Sequence, residues 1–119
     1  MFLRVVFNDP GDFTRASIRV LGPKPDNWSK PDAIEVSELT STQKKAFNSL
    51  VNLFKEKGEP WVASQCWVYS ATDRSVEPAV PAIELILEAK HDETGAITTF
   101  PGVILSDSAY VKLFNALVK

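Results

Sequence analysis

The stretch Thr40–Pro60, TSTQKKAFNSLVNLFKEKGEP, runs directly into Trp61–Ser70, WVASQCWVYS, and the change of apolar period between them decides the fold class. Phe47, Leu50, Val51 and Phe54 recur at i, i+3, i+4 and i+7, which is one stripe of an amphipathic helix. Thr40 and Gln43 have the spacing of a capping box, Gly58 supplies a left-handed stop and Pro60 prevents continuation. The expected helix covers residues 41–57. From Trp61 the period is two. Trp61, Ala63, Gln65, Trp67 and Tyr69 alternate with Val62, Ser64, Cys66, Val68 and Ser70, which predicts a strand over 61–70 with an aromatic face.

Working outward towards the N-terminus, Phe2–Phe7 alternates and predicts a strand with Leu3, Val5 and Phe7 on one face. Asn8-Asp9-Pro10-Gly11-Asp12 is dense turn chemistry. A second strand over 15–21 follows, with Ala16, Ile18 and Val20 inward, so the two strands read as a hairpin. Residues 22–31 hold Pro23, Pro25 and Pro31, which exclude a helix or a central strand. They read as an extended connector carrying Trp28, with a short strand over 33–36 leaving it.

Towards the C-terminus, residues 71–81 read as a loop with Asp73, Arg74 and Val76 near its start and Pro78 and Pro81 late. A strand is predicted over 82–90, with Ile83, Leu85, Leu87 and Ala89 on one face and Glu84, Ile86, Glu88 and Lys90 on the other. Asp92-Glu93-Thr94-Gly95 is a hairpin turn, and 96–100 returns antiparallel. Pro101-Gly102 reads as an interruption before the apolar Val103-Ile104-Leu105. Ser106 or Asp107 caps a closing helix over 108–118, striped by Tyr110, Leu113, Phe114 and Leu117. The expectation is therefore one α+β domain over 1–119, with a mainly antiparallel sheet and two helices on one face.

Composition bounds the function. Of 119 residues, 45% are hydrophobic and 24% charged, as in ordinary globular chains and unlike disordered ones. Thirteen Lys and Arg against 15 Asp and Glu leave a net charge of −2, so no positive field favours nucleic acid. Cys66 and His91 are the single cysteine and histidine. An internal disulfide and the usual nitrogen–sulfur zinc set are thereby excluded. The apolar run at the N-terminus is too short for a signal peptide, and no run is long enough to span a membrane. A cytoplasmic protein, or one built into a particle assembled in the cytoplasm, is expected.

Catalytic motifs are missing. No Gly-x-Ser-x-Gly elbow and no phosphate-binding glycine loop occurs. Catalysis would have to centre on His91 with Glu84 and Glu88, which read more simply as a hairpin histidine and a soluble strand face. Cys66, between Gln65 and Trp67, reads as a buried small side chain. No catalytic, metal or cofactor residue is expected. Arg4, Arg15 and Arg19 share a face parity in the hairpin and form a small basic patch, which a solvated outer face balanced by Glu84 and Glu88 also explains.

The leading expectation is a non-enzymatic module that binds other protein chains, itself included, as a subunit of a larger assembly such as a viral particle or its assembly machinery. Its contacts would come from Trp28, Asp73, Arg74 and Val76 and from the Arg4–Arg15–Arg19 face. One alternative is a small-ligand or glycan binder that uses Trp61, Trp67 and Tyr69 as a stacking platform. Another is an inhibitor that occupies a partner enzyme.

Overall fold

The computed structural model describes residues 1–8, 15–55 and 61–119, the side chains of residues 54, 55 and 101 excepted. The N-terminal alternation becomes β1 (Phe2–Phe7) and β2 (Ala16–Leu21), paired antiparallel from Phe2↔Leu21 to Phe7↔Ala16. The expected turn residues Asp9–Asp12 lie outside the described residues. β3 (Ala33–Glu35) is short and pairs with β2, and a single 3-10 turn over Val36–Glu38 leads into α1 (Ser41–Lys55).

The capping box of α1 is formed in both directions. The Gln43 amide donates to Thr40 Oγ1 at 3.2 Å, and the Thr40 amide donates to Gln43 Oε1 at 2.9 Å. Phe47, Leu50 and Val51 are buried, as their spacing requires. The expected stop at Gly58 and Pro60, and the Phe54 side chain, lie outside the described residues.

β4 (Trp61–Asp73) and β5 (Val80–His91) form the long central hairpin, β6 (Ile97–Leu105) follows, and α2 (Ser108–Val118) closes the chain. Asp107 caps α2 by accepting from the Ala109 amide at 2.8 Å. Among the described residues the sheet has six strands in the order β3-β2-β1-β4-β5-β6, and every pairing is antiparallel. Leu3, Ile18, Val68 and Ile83 of the sheet meet Phe47 and Leu50 of α1 and Phe114 and Leu117 of α2 around one small internal void. Both helices therefore cover the same sheet face. The α+β class with two helices on one face is what the periodicities predict.

Two expected boundaries are corrected. Pairing continues through Ala71↔Ala82, Thr72↔Pro81 and Asp73↔Val80, so the loop spans 74–79 rather than 71–81. β6 ends opposite Ile83, so Pro81 has one neighbouring strand only, an edge setting in which proline is tolerated. Pro101-Gly102 does not end a strand either. β6 runs continuously to Leu105, and a register shift opposite Leu85–Leu87 absorbs the extra residue as a bulge.

Candidate functional surface

Because directly paired residues of an antiparallel ladder share a face, the registers place every side chain of the sheet. Leu3, Val5, Phe7, Ala16, Ile18, Val20, Cys66, Val68 and Leu85 are buried under the helices. The opposite face has no described helix over it. Its middle row is Arg19–Arg4–Trp67–Ile86, across β2, β1, β4 and β5. One flanking row is Leu21–Phe2–Tyr69–Glu84, continued by Ile104 on β6. The other is Glu35–Ser17–Val6–Gln65–Glu88, ending at Thr99.

These side chains are organised among themselves. The rings of Phe2 and Tyr69 stack at 5.0 Å. Arg4 Nε donates to Gln65 Oε1 at 2.9 Å, and Gln65 Nε2 donates to Glu88 Oε1 at 3.1 Å. Ser17 Oγ donates to Glu35 Oε1 at 3.0 Å. Phe2, Val6, Trp67, Tyr69 and Ile86 are half-buried, and among the described residues it is their sheet neighbours that cover them.

The expected aromatic platform is divided. A register shift between Ala63 and Gln65 makes Ser64 the extra residue of a bulge, held where its hydroxyl donates to the Glu88 carbonyl at 3.0 Å. Gln65, Trp67 and Tyr69 consequently lie on the open face, whereas Ala63 and Trp61 lie on the helix-covered face. Trp61 there meets His91 and Phe100 edge-on, with ring centroids 5.1 and 5.7 Å away. Trp61 is thus no neighbour of Trp67 and Tyr69, and a three-ring platform does not form.

Trp28 is half-buried against the core, and its Nε1 donates to Asp32 Oδ1 at 3.2 Å. Lys30 Nζ donates to the Ala116 carbonyl at 3.0 Å, near the negative end of α2. The proline-rich connector is thereby fastened to its own domain. Arg4 and Arg19 face each other across β1 and β2, while Arg15 is exposed just before β2. Arg74 and Val76 are exposed in the 74–79 loop, far along the β4–β5 hairpin from the middle row of arginines. Asp73 accepts from the Ser75 amide and hydroxyl, and those bonds hold its carboxyl below the usual range.

The residues considered for catalysis are not assembled. His91 shares the covered face with Ala89, whereas Glu84 and Glu88 lie on the open one. Its Nδ1 accepts from the amides of Glu93 and Thr94 at 3.2 Å, which fixes the 92–95 turn. Burial pushes the Cys66 thiol up to about 12, the setting of an inert structural cysteine. Among the described residues no cluster of acidic, histidine and cysteine side chains is arranged to hold a metal. A cavity of about 650 Å³ is an open groove between α1 and α2, where Asp107 is already engaged as a helix cap. No helix among the described residues is long and apolar enough to cross a membrane.

Gln65, Val6, Phe2 and Ile86 belong to the open face but have no chemical signature in the sequence. Their shared face follows from strand order, although alternation around Arg4 and Glu84 marks Phe2, Val6 and Ile86 as outward. No family model, curated protein or solved structure matches the chain.

Proposed function

We propose that this protein is a non-enzymatic protein–protein interaction module, a subunit of a larger assembly that uses its open sheet face as the principal contact. The observation that carries this reading is the one-sided layering. Both helices cover the same face of a six-stranded sheet, so among the described residues the opposite face presents Phe2, Trp67, Tyr69 and Ile86 without a second layer. Half-buried aromatics beside arginine are the composition of interface hot spots. The exposed Arg74 and Val76 extend the contact at the tip of the β4–β5 hairpin.

A reducing compartment, or a particle assembled in one, suits a chain whose single thiol is buried. Viral particles and their assembly machinery need small subunits of this kind. The test is the native mass of the protein isolated from its source, with crosslinks mapped. A complex heavier than the 13.2 kDa chain, with crosslinks near the open face or the 74–79 loop, is expected. A lone 13.2 kDa species without crosslinks to any chain would falsify the reading.

A further inference from the structure

We infer that the occupant of the open sheet face is a second copy of this chain, docked face to face about a two-fold axis that runs along the strands. The inference rests on the interaction-module reading and adds the partner. Its basis is the way charge is divided on the face. Arg4 and Arg19 stand directly opposite each other on β1 and β2, a like-charge pair that a sheet does not favour by itself. Glu84 and Glu88 share β5. Two strand spacings, about 10 Å, separate β1 from β5, with Trp67 and Gln65 of β4 between them. Among the described residues the one ion pair is Lys24–Asp32, so none of these four charges has an ionic partner among them. In the middle rows the arginines lie on β1 and β2 and the glutamates on β5, and Glu35 on β3 and Lys90 at the end of β5 are opposite charges at the rim of each half.

Such a face is complementary to itself. A two-fold axis parallel to the strands, between β1 and β4, sets β1 of one copy over β4 of the other and β2 over β5. Arg19, Arg4, Trp67 and Ile86 occupy one row. The second copy's Arg19 therefore comes down at the level of Ile86, between Glu84 and Glu88, and its Arg4 comes down over the Trp67 ring. Each contact occurs twice, as an isologous interface requires. Ion pairs form at both flanks, cation–π contacts form at the centre, and the apolar middle is closed as in aligned sheet packing. Six strands about 4.8 Å apart and about 20 Å long give a projected face of about 600 Å². Side-chain relief raises this towards the ~800 Å² per partner of a standard interface.

The test is sedimentation equilibrium of the purified full chain, alone and as charge-reversed variants. Wild type is expected to be a dimer at about 10 μM and to weaken in about 0.5 M salt. Arg19→Glu and the double variant Glu84→Arg/Glu88→Arg are each expected to weaken self-association by about tenfold or more. Mixed in equal amounts, the two variants should recover dimers within about threefold of wild type, because every reversed pair then meets its opposite. Recovery by mixing is a result that a merely structural role of these residues does not produce. Arg19→Gln, with circular dichroism as a check on folding, replaces Arg19→Glu if that variant does not fold. A wild-type monomer at about 100 μM, a dimer indifferent to both arginine variants, or a mixture that stays monomeric overturns the inference. A wild-type monomer leaves the wider reading standing if the native complex holds a different chain crosslinked to this face.

Discussion

Cys66 and Asp73 show how position alone sets chemical character. The Cys66 thiol is raised to about 12 by burial beneath the helices. A group whose folded pKa lies above its unfolded one stabilises fully below the unfolded value and loses that contribution as pH rises towards the folded one. Its contribution is therefore constant below about pH 9 and is lost progressively from there to about 12. Thiol reagent at pH 8 is expected to label the native protein only as fast as it unfolds. Labelling at the rate of a free thiol in solution contradicts the burial. Asp73 moves in the opposite direction, chiefly because the Ser75 hydroxyl bonds its carboxylate, with the Ser75 amide and the Ser106 hydroxyl adding to this. Those bonds persist above the ordinary carboxylate range and are lost only as pH falls below it. An NMR titration of the Asp73 carboxyl should show a midpoint below 3.8, moving upward in Ser75→Ala.

At the scale of elements, the helices are defined by their ends. Thr40→Ala and Asp107→Ala each remove a cap that satisfies an otherwise orphan amide, and each should cost about 1 kcal/mol in urea unfolding. The bulge at Ser64 is a different kind of feature. Ser64→Ala loses the bond to the Glu88 carbonyl and should cost about 1 kcal/mol. Deletion of Ser64 removes the extra residue and makes Ala63 and Gln65 successive positions opposite the successive Ala89 and Glu88, so every side chain keeps its face. Its cost should therefore be close to that of Ser64→Ala in the same urea unfolding. Helix starts were legible because caps are local: Thr40 with Gln43, and Asp107, act within four residues of themselves. The bulge was not legible, since nothing near Ser64 distinguishes WVASQCWVYS from an unbroken alternation. Its partner lies 24 residues away on β5.

For the molecule as a whole, Leu85 and Ile86 are adjacent in sequence and on opposite sides of the sheet. Leu85 is 2% exposed under the helices, and Leu85→Ala should cost about 3 kcal/mol of folding stability. Ile86 lies on the open face. Ile86→Ala should cost about 1 kcal/mol or less in dilute solution, and its main effect should appear as weaker self-association in sedimentation. A loss of folding stability equal to that of Leu85→Ala would mean that the face is covered within a single chain.

The sequence by itself determined the two helices, the centres of the strands and the inward rows of β1, β2 and β5. These are properties of local period, capping and composition. Tertiary structure alone decided strand order, and with it the row Arg19–Arg4–Trp67–Ile86, drawn from four strands between residues 4 and 86. It also separated Trp61 from Trp67 and Tyr69, and it fastened Trp28 to the core. The physical reason is common to all three. Which face a strand residue joins is fixed by hydrogen-bond register with a neighbouring strand, and register is a relation between distant segments that no single segment encodes.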